Sequence, residues 1–146
     1  MTKWDIRFME MCRVVAKWSK DPSTKCGAVI VRADNTVVSQ GYNGFPRGIA
    51  DTDERLHDRA LKYELVVHAE MNAILVTREP VVNCTLYVWP LLPCARCAVH
   101  IIQAGIYKVV APVLTDEQAE RWGDSLALTR SLFAEAGVDC VEVDCV

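Results

Sequence analysis

The chain has 146 residues, about half of them apolar (51%), and a formal charge of −3. That length closes one hydrophobic core. No apolar run approaches the roughly 20 residues that span a bilayer, and no run of Lys or Arg suggests a surface built to neutralise many nucleic-acid phosphates. The opening stretch MTKWDIRFMEMCR is charged throughout and does not read as a secretory signal, so the cytoplasm is the expected location.

Phe8, Met11, Cys12 and Val15 recur at helical spacing and predict an amphipathic helix over 4–19, broken by Lys20-Asp21-Pro22-Ser23. β-branched runs at 27–33 and 36–40 flank Asp34-Asn35 and predict a hairpin. The stretch GYNGFPRG, 41–48, carries three glycines and a proline and is expected to be a loop. The charged, irregular stretch 49–62 predicts a surface loop with some helix. A helix is expected over 68–78, burying Ala69, Ala73 and Ile74, with Pro80 beyond its end. A strand at 84–89 precedes a helix at 94–104, set between Pro93 and Gly105. A strand at 106–110, a helix at 124–136 ended by Gly137 and a strand at 138–143 complete the chain. Strands alternating with helices predict an α/β architecture in one domain over 1–146; the opening hairpin makes its sheet mixed.

Seven cysteines make an odd count in a domain too large to need a disulfide framework. Cys12, Cys26, Cys84, Cys140 and Cys145 read as free thiols behaving as small hydrophobes. Cys94 and Cys97 differ, because Cys-x-x-Cys at a helical stretch places two sulfurs a turn apart. His68-Ala69-Glu70 cannot share a helical face at a spacing of two, so it converges only where a helix begins. Both fragments therefore read as helix N-termini aimed at one point, where the dipoles favour thiolate over thiol. Two thiolates and one imidazole neutralise Zn²⁺ and leave the fourth tetrahedral position for water, the mark of a catalytic site. Glu70 is the candidate to accept the proton of that water. A structural zinc would need a fourth ligand from Cys26, His57, Cys84 or His100. A redox Cys-x-x-Cys would leave the His-x-Glu unexplained.

His-x-Glu with Pro-Cys-x-x-Cys is the signature of zinc deaminases of nucleobases. Over most of its length the chain resembles one branch of them, the deoxycytidylate (dCMP) deaminases. The resemblance runs through Ser19-Lys20-Asp21-Pro22, Gly27-Ala28-Val29-Ile30-Val31, Gly41-Tyr42-Asn43-Gly44-Phe45-Pro46-Arg47-Gly48, His68-Ala69-Glu70-Met71-Asn72-Ala73-Ile74, Pro93-Cys94 to Cys97-Ala98, and Ile101-Ile102-Gln103-Ala104-Gly105-Ile106. The metal motif selects the superfamily; the GYNG loop with SKDP selects the branch.

The resemblance implies a three-layer α-β-α, cytidine-deaminase-like fold with a five-stranded mixed sheet. It implies hydrolysis of dCMP to dUMP and ammonia, supplying dUMP for thymidylate synthesis. His68, Cys94 and Cys97 would hold one Zn²⁺ per subunit, with Glu70 passing protons from water to N3 and the leaving amine. Asn43 matches a loop asparagine that contacts the sugar hydroxyl, although Asn beside Gly is equally a turn residue. Ala69 would offer its backbone amide to the pyrimidine, and Ser19, Lys20 and Arg47 are candidates for the 5′-phosphate. Members of the branch are activated by dCTP and inhibited by dTTP, so Gly41, Tyr42, Asn43, Gly44 and Arg47 are expected to border a regulatory triphosphate site with Mg²⁺, in a homo-hexamer.

Three departures stand out. Trp89-Pro90-Leu91-Leu92 runs one residue longer than is usual in the branch. The aromatic that usually stacks on the base is missing near Val113 to Asp116, where Trp122 is the substitute or a packing residue. Asp21 stands where some viral members place a cysteine ligand of a second zinc, so a single zinc is expected. The rival readings are a free cytidine deaminase, a tRNA or polynucleotide deaminase, and a non-catalytic zinc-stabilised nucleotide-binding module.

Overall fold

The architecture was obtained as a computed structural model that describes residues 1–145. Helix α1 (Lys3–Ala16) starts at a capping box, Thr2 accepting from Asp5 N–H and Asp5 reaching back to Thr2 N–H. Strands β1 (Gly27–Val31) and β2 (Val37–Tyr42) form the opening hairpin. Helices α2 (Asp53–His57) and α3 (Arg59–Leu65) follow, capped by Thr52 and Asp58. Then come α4 (Ala69–Leu75), β3 (Thr85–Trp89), α5 (Ala95–Gln103), β4 (Lys108–Pro112), α6 (Asp116–Ala136) and β5 (Asp139–Val143).

The sheet order is β2-β1-β3-β4-β5. β1 pairs antiparallel with β2 and β3, whereas β3, β4 and β5 run parallel, so the sheet is five-stranded and mixed. The strand side chains alternate between two apolar layers. Val29, Val31, Tyr87 and Val110 face α1 through Phe8, Met9 and Cys12. Ala28, Ile30, Leu86, Val88 and Val109 face the layer that contains Ala69 and Ala73 of α4, Ala98 and Ile101 of α5, and Leu126 and Phe133 of α6. The result is the three-layer α/β fold expected from the sequence.

Several boundaries differ from expectation. Helix α1 stops at Ala16, and α4 stops at Leu75 rather than running to residue 78. Strand β2 continues through Gly41 and Tyr42, which pair with Ala28 and Gly27, so the GYNG stretch is half strand. Helix α6 begins at Asp116, not 124, because Thr115 and Gln118 form a second capping box that the sequence TDEQ already spelled out. All seven cysteines are free.

Two glycines permit the close layering. A Cβ on Gly27 would lie 2.2 Å from the Cys12 carbonyl oxygen of α1. A Cβ on Gly41 would lie 2.5 Å from both the Ala69 carbonyl oxygen and the Ala73 amide of α4. Gly41 is buried beneath α4. Its role is to let α4 lie against β2. Gly41→Ala is expected to cost about 3 kcal/mol in urea unfolding, the upper end for overpacking against rigid backbone. An unchanged midpoint would contradict this packing.

Candidate metal centre

Helices α4 and α5 begin side by side beyond the ends of β1 and β3. His68 is the N-cap of α4 and Cys94 the N-cap of α5, both with extended backbone (ψ 155° and 165°). Neither side chain makes a capping hydrogen bond, although N-caps ordinarily do. Both instead turn toward a common point, joined there by Cys97 from the first turn of α5. His68 Nδ1 lies 3.5 Å from Cys94 Sγ and 3.3 Å from Cys97 Sγ. All three ligand atoms lie within 4.8 Å of one another. Tetrahedral zinc with its usual bond lengths places imidazole nitrogen and thiolate sulfur about 3.5 Å apart, so this donor set fits Zn²⁺ in both chemistry and span.

The electrostatics agree. The Cys94 thiol is pushed down to about 4 by a hydrogen bond from Cys97 and by His68, against the opposing effect of burial. The same hydrogen bond and burial push Cys97 upward, so from the side chains alone the pair shares one proton. A divalent cation removes that proton outright. His68 is raised, first by its hydrogen bond with Cys94 and then by the nearby Glu70. Glu70, in the first turn of α4, is 6% exposed. Burial raises its pKa, with Cys94 adding to the effect, while its own backbone N–H and His68 oppose it.

No fourth ligand completes the set among the described residues. His57 and His100 are exposed and bonded through Nδ1 to carbonyls of their own helices, Asp53 and Arg96. Cys84 begins at the opposite end of β3. Cys26 borders the site, but its thiol lies outside the ligand cluster. The arrangement is therefore that of an open, three-ligand centre.

A brace from α6 holds Cys94. Thr129, fully buried, donates to the Pro93 carbonyl at 2.8 Å, and Ser125 Oγ accepts from Ala95 N–H at 3.4 Å. Thr129→Val keeps the volume but orphans the Pro93 carbonyl. It is expected to cost about 1–3 kcal/mol and to weaken zinc retention against a competing chelator; unaltered stability and retention would remove Thr129 from this role.

His68 and Cys94 line a cavity of ≈190 Å³ that also takes in Glu70, Ala69, Asn43, Trp122, Leu91 and Leu92. Of the predicted substrate residues, Asn43, Ala69 and Trp122 thus reach the site. Asn43 is buried, its Oδ1 accepting from Cys26 N–H at 2.8 Å and its Nδ2 donating to the Thr24 carbonyl at 2.9 Å. It is at once a turn-fixing residue and a wall of the cavity, with one amide hydrogen to spare. Trp122 arrives from α6, lining the cavity while packing partly against the core.

Ser19 and Lys20 do not line the cavity. The Ser19 hydroxyl is buried and donates to the Asn43 carbonyl at 2.8 Å, while exposed Lys20 pairs with Asp51 at 2.9 Å. Arg47 also lies away from it, exposed on the loop beyond β2. The sequence reading missed Lys62, Tyr63 and Arg121, which do line it. They fall in an irregular segment and in the unrecognised first half of α6, and their only sequence signals were the caps Asp58 and Thr115.

Residues 2–113 match the family model of the cytidine and deoxycytidylate deaminase zinc-binding region. The chain belongs to this family. A protein of Aliivibrio fischeri named only as an uncharacterized deaminase in a luxG 3′ region is 44% identical to this deaminase over 142 residues, 95% of this chain and 92% of its own. The deoxycytidylate deaminase of Homo sapiens is 40% identical over 144 residues, 93% of this chain and 77% of its own. The crystal structure of the dCMP deaminase of cyanophage S-TIM5, in complex with dCMP and dUMP, superposes with a TM-score of 0.75 at 22% identity. It covers 98% of this chain and 99% of that one, and shares the fold.

Proposed function

We propose that this deaminase converts dCMP and water to dUMP and ammonia, with His68, Cys94 and Cys97 holding its zinc and Glu70 carrying the protons. The reading is carried by one observation above the others: a relative named deoxycytidylate deaminase aligns along 93% of the chain, in which His68, Cys94 and the buried carboxylate of Glu70 line one cavity and Cys97 joins the two ligands. When bound, zinc supplies a Lewis acid that lowers the pKa of water. Glu70 Oε accepts a proton from water as its oxygen adds at C4, and delivers protons to N3 and to the departing amine. Its burial suits the task, because a carboxyl raised above its usual range takes a proton more readily at neutral pH. Ala69 N–H, in the orphan first turn of α4, would meet the pyrimidine. Asn43 would donate its remaining hydrogen to the sugar hydroxyl, and Trp122 would cover the base.

Activation by dCTP and inhibition by dTTP, with Mg²⁺ bound to the triphosphate, belong to the same proposal, as do a homo-hexamer and a cytoplasmic location. Its support is a short physical link. Gly44 and Val67 exchange backbone hydrogen bonds of 3.1 and 2.8 Å, and Asn72 donates to the Tyr42 carbonyl at 2.8 Å. The GYNG segment is therefore fastened to the residue before His68, and Tyr42 is exposed beside Trp18, edge-on at 6.0 Å. Binding there would bias the metal site. No helix among the described residues is long and apolar enough to cross a membrane.

Ammonia release from dCMP, cytidine, dCTP and an RNA hairpin tests the substrate. dCMP is expected to lead by at least about 100-fold, the discrimination that two charged contacts supply. A lead for cytidine or RNA would overturn the reading. dCTP and dTTP are expected to shift the dCMP saturation curve in opposite directions; a curve unmoved by either excludes the regulation.

A further inference from the structure

His68, Cys94, Glu70 and Asn43 account for part of the cavity lining, but no residue so far described neutralises a 5′-phosphate. The side chains expected to do so from sequence are engaged elsewhere or set apart. Lys20 pairs with Asp51, and Arg47 lies off the cavity. Lys62 does line the cavity, but its charge is matched by buried Asp21 at 3.2 Å.

Tyr63 of α3 and Arg121 of α6, which also line the cavity, are different. Arg59 Nε donates to the Tyr63 hydroxyl at 3.0 Å, and the Arg121 guanidinium lies near enough to join it in holding that hydroxyl below its usual pKa. Neither arginine forms an ion pair with a carboxylate among the described residues. Two guanidinium groups thus converge on a single neutral oxygen, an arrangement that their mutual repulsion opposes and that an anion between them would relieve. Arg121 is stacked on Trp122, 4.5 Å from the ring centre. Stacking fixes the plane of the guanidinium while leaving N–H groups on its edge for oxygen acceptors. Tyr63 is 58% exposed, free to yield its place.

We propose that Arg59 and Arg121 read the 5′-phosphate of the substrate here, on either side of the Tyr63 hydroxyl. The assignment rests on the dCMP reading and makes these two arginines the residues that separate nucleotide from nucleoside. A planar, permanently charged fork suits a phosphate, and Arg–phosphate hydrogen bonds are charge-assisted. Each such contact is worth about 10-fold or more in affinity.

The test compares kcat/KM for dCMP and deoxycytidine in the wild type and in Arg59→Gln with Arg121→Gln. The ratio of kcat/KM for dCMP to that for deoxycytidine is expected to fall by about 100-fold in the double variant. Arg59→Lys with Arg121→Lys should restore part of the preference. Equal losses on both substrates, or an undiminished preference, would overturn the proposal. Calorimetric binding of dUMP against deoxyuridine to the same proteins separates the two claims. A wild type that binds dUMP preferentially through these arginines yet does not turn over dCMP would sink the activity reading alone. A dUMP preference indifferent to the arginines would sink the phosphate site alone.

Discussion

Glu70→Gln is expected to reduce turnover of dCMP by about 10³–10⁴-fold, the loss typical of removing a positioned general acid–base, while leaving zinc bound at the wild-type level. The substitution changes almost nothing else. Glutamine matches glutamate in volume, so the buried pocket at the start of α4, where Glu70 is 6% exposed, keeps its packing. What disappears is an oxygen able to take a proton and give it back. The three ligands come from the N-cap of α4 and from the N-cap and first turn of α5, and none of them depends on the Glu70 charge for its position. Metal content and activity should therefore separate cleanly. Loss of zinc together with activity would mean that Glu70 supports the site rather than acting on substrate, and retained turnover would remove it from the mechanism.

Lys62→Met is expected to lower stability by about 3 kcal/mol, because breaking a buried pair strands the remaining charge. Lys62 reaches from α3 to Asp21 and Ser23 at 3.2 Å each, and both members of the ion pair are almost wholly shielded from water. Asp21 in turn accepts from the Ser23 and Thr24 amides at 2.8 and 3.2 Å, and the Thr24 carbonyl accepts from Asn43. One chain of hydrogen bonds thus runs from Lys62 to the wall of the cavity. Adding Asp21→Asn to Lys62→Met should recover at least half of the lost stability, since the amide oxygen still caps the turn without an uncompensated charge. Urea unfolding of the single and double variants measures both quantities. A single variant within about 0.5 kcal/mol of wild type would show that the pair is not the tether described here.

The fold was legible wherever the sequence pattern was local. The β-branched runs of β1 and β2, the Pro93 and Gly105 bracket around α5, and Gly137 after α6 all mark elements that the structure contains. The metal centre was legible because its spacing is itself local. His-x-Glu and Cys-x-x-Cys make sense only at helix starts, and His68 and Cys94 are N-caps. The cavity walls were harder to read, because they are assembled from residues far apart in sequence. Nothing near Lys62 announces that it will meet Asp21, and nothing near Tyr63 points to Arg121. The packing role of Gly41 was hidden for a related reason. Its neighbours Asn43, Gly44 and Pro46 spell a loop, whereas its own requirement is set by Ala69 and Ala73 packing onto it from α4. The late start given to α6 had a different cause, a capping box passed over in TDEQ.

The central claim is a catalytic zinc held by His68, Cys94 and Cys97. It is tested most directly by measuring zinc content and ammonia release from dCMP on one preparation, before chelation, after chelation and after zinc is restored. The account predicts one zinc per chain, activity that falls with the metal and returns with it, and no return in Cys97→Ala. Turnover of dCMP that survives complete removal of zinc would contradict it.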